Sequence, residues 1–291
     1  MSVPQTLVLG GGGVTAIAWQ TGWLLGALEA GFDATRADRL IGTSAGAVVA
    51  AQISAGPRLA ALFAAQVDPA LQVPEVAPPV HAWALLRGLL PTLRHWRQPQ
   101  RWRQAVGAFA QQADTPTPAD RRALVAQRLP SANWPAPQAL QITAVDAGSG
   151  ALRVFDAASG VSLLDAVTAS CAVPGLWPTA SIDGRAYMDG GLRSSDNADL
   201  AAGSTTVLVL SPMGGHRLAM PGGRLADQLH TLRDAGSRAA LVTPDDATRQ
   251  AIGRRPMDPA RRAPAAQAGR AQGQREAQRV MAAVMATVMA T

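Results

Sequence analysis

The sequence predicts an α/β fold of three layers, in which helices cover both faces of a mostly parallel central sheet. Two observations support this. The first 56 residues alternate short apolar strands with helices, and strand patterns return from residue 139 onward. Between them, residues 57–138 are rich in proline and lack strand patterns, which predicts a helical insertion. We expect residues 1–291 to form a single domain, because a hydrophobic content of 48% suffices for one large core.

The opening segment contains two strand–loop–helix units. Residues 5–9 (QTLVL) form a short apolar strand, glycines follow, and residues 15–30 have the composition of a helix that ends at Gly31. Residues 39–41 begin a second strand, and the small residues of 45–54 predict a second helix. Two such units in succession are typical of the start of a parallel sheet.

The insertion at residues 57–138 has an uneven distribution of charge. No acidic residue occurs between Glu75 and Asp114. The same window holds five arginines and three tryptophans: Arg87, Arg94, Arg97, Arg101, Arg103, Trp83, Trp96 and Trp102. Trp83 and three leucines recur at helical spacing, and Pro91 is expected to kink or split the helix that they define.

Strand patterns resume after the insertion. Residues 139–146 predict a strand, and a glycine-containing turn leads to residues 151–156 as its hairpin partner. Residues 162–171 predict a helix. Asp183-Gly184 predicts a tight turn between two short strands, and residues 205–210 (TTVLVL) predict another buried strand.

Residues 253–291 predict a helical tail. The part up to residue 279 is rich in arginine, alanine and glutamine, which suits a loop followed by a helix. From Val280 onward, Val-Met pairs recur every four residues and form one apolar stripe on a helix. Packing of this stripe on the core is the favoured interpretation, and contact with a membrane is the alternative.

The composition limits the classes of protein that need to be considered. The net charge is +6, and all 26 basic residues are arginine. Cys171 is the single cysteine, so no intrachain disulfide can form. No uninterrupted apolar run is long enough to span a membrane, and the N-terminal residues lack the pattern of a signal peptide. We therefore expect a cytoplasmic protein.

Residues 41–46 (IGTSAG) contain the G-x-S-x-G pattern of a nucleophilic serine turn. Ser44 would stand between a strand and a helix, where Gly42 and Gly46 avoid collisions between two tightly joined elements. The amide of Ala45, in the first helical turn, would face a substrate oxygen with support from the helix dipole. The pattern also occurs by chance in glycine- and alanine-rich sequences, so the flanking strand and helix are what favour a nucleophile.

The glycine run at residues 10–13 has two interpretations. A dinucleotide loop needs G-x-G-x-x-G, but the last position is Ala16, although Asp33 lies where a ribose-binding acid could stand. The alternative is an oxyanion hole, in which glycine amides bind the oxygen that becomes negative during acyl transfer. A nucleophile turn in the next strand–helix unit favours the oxyanion hole.

A serine nucleophile needs a base, and the sequence offers two candidates. His216 follows a strand and is the one histidine that fits a Ser-Asp-His order, but only two strands precede Ser44, fewer than that fold normally builds. Asp189 ends a strand within Met188-Asp-Gly-Gly191 and could take the proton directly. A carboxylate is a weak base at its usual pKa, and burial would raise that pKa toward neutrality. An ordinary Asp-Gly turn is the structural alternative.

Together these motifs resemble the patatin-like phospholipase family. The matching segments, in chain order, are LGGGGVTA at 9–16, IGTSAG at 41–46, SCAVPGLWP at 170–178 and DGGLRSSDNADLA at 189–201. The resemblance covers residues 5 to about 215. It implies a three-layer fold, a Ser–Asp dyad without a catalytic histidine, and hydrolysis of lipid acyl esters.

The resemblance assigns roles to individual residues. Ser44 would be the nucleophile and Asp189 the general base, with Gly190 and Gly191 completing the aspartate motif. The oxyanion hole would comprise the amides of Gly11, Gly12 and Gly13 together with that of Ala45. No metal and no organic cofactor is expected. The family's loop usually has a basic residue and a glycine where this chain has Thr15 and Ala16, which leaves a phospholipid substrate in question.

Other functions stay open at this point. A catalytically weak member would keep the fold and bind lipid or a partner protein, and a nucleotide-binding α/β protein would use the glycine loop. The Arg- and Trp-rich insertion suits peripheral contact with an anionic membrane, and equally a lid packed on the core with its arginines in solvent. No nucleic-acid-binding motif accompanies its basic residues, so we expect no nucleic-acid partner.

Overall fold

The computed structural model describes residues 5–56, 58–73, 82–135, 139–214 and 223–285. Within these ranges the chain forms one eight-stranded sheet. Its strands are β1 (Thr6–Leu9), β2 (Arg39–Thr43), β3 (Ala139–Asp146), β4 (Leu152–Phe155), β5 (Ala180–Ile182), β6 (Arg185–Asp189), β7 (Thr206–Leu210) and β8 (Arg238–Val242).

The sheet is mostly parallel, and this confirms the predicted fold class. Its order is β5-β6-β3-β2-β1-β7-β8, with β4 paired to β3. The run β3-β2-β1-β7-β8 is parallel throughout, whereas β4, β5 and β6 pair in antiparallel fashion. In register, Leu9 of β1 stands opposite Gly42 of β2 and Leu210 of β7, so the glycine loop and Ser44 leave the same edge of the sheet.

Ten α-helices occur in the described ranges. They are α1 (Gly13–Glu29), α2 (Ala45–Ser54), α3 (Leu59–Val67), α4 (Ala82–Leu89), α5 (Pro99–Gln112), α6 (Pro118–Ala126), α7 (Leu163–Ser170), α8 (Leu225–Asp234), α9 (Asp246–Ile252) and α10 (Arg262–Met285). The segment from α8 to α9, with β8 between them, carried no sequence prediction. Among the described helices, none combines the length and hydropathy that a membrane span requires.

Helices cover both faces of the sheet because its central strands are apolar on both sides. Leu7 and Leu9 point into one core, which α1, α2, α7 and α10 cover. Val8 points into the opposite core, which α8 and a short 3₁₀ helix (Ala198–Ala201) cover. The three-layer arrangement follows from this alternation along each strand.

The helices of the insertion divide between the core and the surface. Pro91 lies where α4 changes into a 3₁₀ helix (Leu90–His95). Trp102 of α5 is buried against Val145 and Met188, and Trp96 stacks edge-on against it with ring centroids 5.4 Å apart. These two tryptophans are therefore packing residues, which agrees with the alternative of a lid packed on the core for this part of the insertion.

The tail helix α10 packs against α1 along a strip of small residues. A Cβ added to Gly22 or Gly26 would lie about 2 Å from the carbonyl oxygens of Ala266 and Arg270, so the two helices approach closely only because these positions are glycine. Val284 is buried in the core that α10 shares with the sheet. The stripe's last Val-Met pair, at 288 and 289, lies outside the described residues.

Candidate active site

Ser44 stands at a strained turn between β2 and α2. Its backbone has φ 53° and ψ −117°, a conformation that residues with a side chain rarely adopt. A Cβ on Gly42 would lie 2.6 Å from the Cα of Ala47, and one on Gly46 would lie 1.9 Å from the carbonyl oxygen of Leu9. Both glycines are thus required by the close approach of strand and helix, which lifts the Ser44 side chain out of the sheet.

The end of α7 holds the backbone of Ser44. The Ser44 amide donates to Ser170 Oγ at 2.8 Å, and Cys171 Sγ donates to the Ser44 carbonyl at 3.3 Å. These two contacts span more than 120 residues of sequence and fix both sides of the strained turn. The sequence patterns did not assign a role to either residue.

Ser44 and Asp189 are in direct contact. Ser44 Oγ donates to Asp189 Oδ2 at 2.7 Å, and the amide of Gly191 donates to Asp189 Oδ1 at 2.7 Å. Asp189 ends β6 and is 6% exposed. A Cβ on Gly190 would lie 2.4 Å from Thr143 Oγ1, so the bend after Asp189 also depends on glycine. The geometry gives the carboxylate one oxygen for the serine proton and one for orientation.

The surroundings of Asp189 bring its pKa close to neutrality. Burial raises the pKa of Asp189 to about 6, while hydrogen bonds from Ser44 and Gly191 and the charge of Arg121 oppose that rise. Arg121, from α6 of the insertion, is itself 4% exposed and stacks on the Trp177 ring at 3.9 Å. At neutral pH the carboxylate is ionised yet basic enough to accept a proton.

Asn197 joins the strands that carry the two side chains. Its Nδ2 donates to Ser194 O at 2.8 Å, Thr43 Oγ1 at 3.1 Å and Gly190 O at 3.3 Å, with Thr143 Oγ1 at 3.4 Å. Thr43 immediately precedes Ser44, and Gly190 immediately follows Asp189. Asn197 is fully buried and left-handed, with φ 51°. Its role in the dyad geometry was not predicted.

The glycine loop differs from expectation at Gly11. The Gly11 amide donates to the Ser195 carbonyl at 2.8 Å, so it is engaged in holding the loop and does not face the cavity as a free donor. The amides of Gly12, Gly13 and Ala45 have no acceptor among the described residues. The last two stand at the first positions of α1 and α2, where helix geometry leaves amides unpaired.

The departures from the family's usual loop have a local explanation. Thr15 donates through both its amide and its hydroxyl to the Pro256 carbonyl, each at 3.1 Å, so it ties the start of α1 to a later loop. Ala16 is buried at ordinary helical backbone. Asp33, the acid considered for a ribose, caps a 3₁₀ helix by accepting from the Thr35 amide.

A second buried carboxyl lies behind the glycine loop. A Cβ on Gly10 would lie 2.1 Å from Asp196 Oδ1, so the carboxyl packs directly on the loop. Burial raises the pKa of Asp196 to about 7, opposed by the Ser211 hydroxyl. Asp196 has no hydrogen bond to Ser44 and was not predicted from the sequence.

The dyad faces a cavity of about 270 Å³, here called the front cavity. Its wall includes the following residues: Gly11, Gly12, Gly13, Ser44, Asp189, Val173, Leu192 and Met213. His95 and His230, the histidines in the described ranges, do not line it. His216, the alternative base, lies outside the described residues. The described residues contain no cluster of three side chains suited to a metal ion.

Comparison with known proteins places the chain in a family. No curated protein matches the sequence. Two similar solved structures are VipD from Legionella pneumophila (13% identity, TM-score 0.48) and the complex of SpcU with ExoU from Pseudomonas aeruginosa (18%, 0.41). The matches cover 95% and 98% of this chain, which spans 67% and 54% of those chains. The profile described as "Patatin-like phospholipase" matches residues 7–202, more than half of the sequence. The chain therefore belongs to the patatin-like phospholipase family.

Proposed function

We propose that this protein is a serine hydrolase of lipid acyl esters that uses Ser44 and Asp189 as a catalytic dyad. The observation that carries the proposal is the 2.7 Å hydrogen bond from Ser44 Oγ to a buried carboxylate at the wall of a cavity. An isolated serine hydroxyl is a poor nucleophile, and a base within hydrogen-bond reach is what activates it.

In the first step Ser44 Oγ attacks the carbonyl carbon of the ester while Asp189 Oδ2 takes the hydroxyl proton. The carbonyl oxygen becomes negative as the tetrahedral intermediate forms. Asp189 then returns the proton to the departing alcohol oxygen, the ester C–O bond breaks, and the acyl group remains on Ser44. The same carboxylate can serve in both directions because its pKa of about 6 lies near neutral pH.

Backbone amides supply the charge stabilisation that this step needs. Gly12, Gly13 and Ala45 have amides without acceptors in the described chain, and two of them open helices whose dipoles favour negative charge. In the second step a water attacks the acyl carbon and gives its proton to Asp189. Asp189 protonates Ser44 Oγ as the fatty acid leaves, and the dyad is restored.

We also propose that the enzyme meets its substrate at an anionic lipid surface through an exposed leucine–arginine surface. This surface consists of Leu86, Arg87, Leu90, Leu93 and Arg94; its three leucines are 51–58% exposed. Neither arginine forms an ion pair within the described chain. The neighbouring Leu85 packs on Gly175, beside Val173 and Pro174 of the front cavity. Apolar side chains flanked by cations suit partial insertion among anionic headgroups.

Hydrolysis of p-nitrophenyl butyrate by the purified protein tests the dyad. Ser44→Ala and Asp189→Asn should each lower kcat by about 10³-fold or more. Ser195→Ala, which removes a hydroxyl from the same cavity, is the matched control and should stay within about threefold of the wild type.

Three results would contradict the proposal. Turnover by Ser44→Ala at the wild-type rate would show that Ser44 is not the nucleophile. An inactive wild type that binds lipid vesicles would identify a binding module instead. An inactive wild type that binds ATP or NAD would favour the nucleotide-binding alternative.

A further inference from the structure

A second cavity lies behind Ser44 between the first helices of the fold. It has a volume of about 260 Å³ and is here called the rear cavity. Val14 and Ile17 of α1, Val48 and Gln52 of α2, and Leu62 of α3 line it. Because α3 belongs to the insertion, part of the insertion walls this cavity while another part forms the leucine–arginine surface.

A small cavity of about 60 Å³ borders both the nucleophile and side chains of the rear cavity. One side of the small cavity is formed by Ser44 and Ala45. Four further residues of its wall also line the rear cavity: Val14, Ile17, Val48 and Arg128. The two cavities therefore share three apolar side chains and one arginine, so the space behind Ser44 adjoins the rear cavity.

The length of this path follows from α2. Ala45, Val48 and Gln52 lie on one face of the helix, about one turn apart. At about 1.5 Å per residue, Gln52 stands about 12 Å along the axis from Ser44. An extended chain advances about 1.2 Å per bond, so about ten bonds cover the distance.

The walls change in chemistry along the path. Three of the four shared side chains are aliphatic and the fourth is Arg128. Gln52 is buried at the far end and donates through Nε2 to the Arg128 carbonyl at 2.8 Å. That bond fixes the amide, and its Oε1 has no hydrogen-bond partner among the described residues. Leu71, 55% exposed, lines the cavity's outer part. Each methylene group of a bound chain gains free energy from burial as far as Gln52, and a group beyond Gln52 gains little.

We propose that the rear cavity holds the acyl chain of the ester on Ser44, while the front cavity holds the departing alcohol; this rests on the proposed hydrolase function. The acyl carbon then bonds to Ser44 Oγ with its chain directed along α2, and the alcohol leaves through the front cavity, whose Met213 is exposed. A chain of about ten carbons fills the path. The specificity constant should rise from acetyl to decanoyl esters and level off from decanoyl to palmitoyl.

Substitution at the junction of the two cavities tests the placement. Val48→Phe adds an aromatic ring between Ser44 and the rear cavity, and should lower the ratio of kcat/KM for decanoyl over butyryl p-nitrophenyl esters at least about tenfold. Met213→Phe adds a ring to the front cavity at an exposed position and should leave that ratio unchanged. The ratio does not depend on the fraction of active protein, so partial misfolding does not alter it.

The opposite results would overturn the inference. A decanoyl-to-butyryl ratio that falls with Met213→Phe and not with Val48→Phe would place the chain in the front cavity. If kcat/KM of the wild type is the same for acetyl and decanoyl esters, the rear cavity is not an acyl pocket.

Binding of 1-decanol to Ser44→Ala protein, measured by calorimetry, needs no turnover. Loss of that binding with Val48→Phe supports the rear cavity even where ester hydrolysis fails, and unchanged binding rejects it. Failure of the pocket and failure of the hydrolase proposal are therefore distinguishable.

Discussion

The fold holds the dyad and the leucine–arginine surface in opposite ways. Hydrogen bonds of 2.7–2.8 Å tie Ser44 and Asp189 to each other, to Ser170 and to Gly191. Buried hydrogen bonds of 3.1 and 3.3 Å from Asn197 join the residues next to them in sequence. The leucines of the surface are more than half exposed. Proton transfer needs fixed atomic positions, whereas contact with a lipid surface needs exposed apolar area and charge. Substitutions in the two regions should therefore fail in different assays.

The largest expected effect in this comparison is on the pH dependence of the dyad. Protonated Asp189 cannot accept the serine proton, so kcat/KM on a soluble ester should fall about tenfold per unit below pH 6 and level off above it. Asp196→Asn should leave that inflection in place, because Asp196 packs behind Gly10 and does not contact Ser44. If the inflection moves in Asp196→Asn, the group that titrates is Asp196 and not Asp189.

The next largest effect concerns Asn197. Asn197→Asp keeps the shape of the side chain and tolerates the left-handed backbone, but it loses the donor that joins Thr43 to Gly190. We expect kcat to fall about 10- to 100-fold with KM little changed, because the dyad loses its alignment and not its cavity. Thr143→Val removes the 3.4 Å contact with Asn197 and the 2.9 Å contact with Thr43, but it keeps the Asn197 bonds to Thr43 and Gly190, so its effect should be smaller. Wild-type kcat in a folded Asn197→Asp protein would refute this role.

Substitutions in the leucine–arginine surface should lower activity only on substrates presented in a lipid surface. Leu86→Ser and Leu90→Ser together should lower hydrolysis of anionic phosphatidylglycerol vesicles about tenfold or more, since each leucine contributes about 1.5–3 kcal/mol when buried. Hydrolysis of p-nitrophenyl butyrate should stay near the wild-type rate. Leu28→Ser, at another exposed leucine, is the control. Equal losses on vesicles and on the soluble ester would mean that the surface supports the fold and not lipid contact.

The smallest effect is on stability. Because the pKa of Asp189 is raised from 3.8 to about 6 by folding, its ionised form is unfavourable in the folded protein above pH 6, and this penalty is absent below pH 4. The free energy of unfolding of Asp189→Asn should therefore be about 1–3 kcal/mol higher than that of the wild type at pH 8. Denaturant titrations should show the difference shrinking from pH 6 to pH 4. A difference in the free energy of unfolding that grows toward low pH would contradict the raised pKa of Asp189.

The sequence predicted the fold because strand and helix patterns are local. The strand at 139–146 and the helix at 45–54 were predicted with the bounds that the structure shows. β8 carried no prediction, since its RAALV pattern is short and does not alternate. For Trp102 the composition left contact with a membrane and packing on the core equally open, because its burial depends on Val145 and Met188, which are far away in sequence.

The candidate site was predicted in part for the same reason. The motifs around Ser44 and Asp189 are local patterns with a steric cause, so they could be recognised. Asn197, Asp196 and Ser170 act through contacts between distant segments, which no spacing rule predicts. The Gly11 amide is likewise not a free donor for the oxyanion hole, because it donates to the carbonyl of Ser195, which lies 184 positions away.

Labelling with a fluorophosphonate tests the central claim most directly, because the reagent reacts with a serine only when a base takes its proton. Mass spectrometry should find the label on the peptide containing Ser44, forming more slowly as the pH falls below 6. Asp189→Asn should label about 10³-fold more slowly, and Asp196→Asn at nearly the wild-type rate. Labelling of a different residue, or of Asp189→Asn at the wild-type rate, would contradict the dyad.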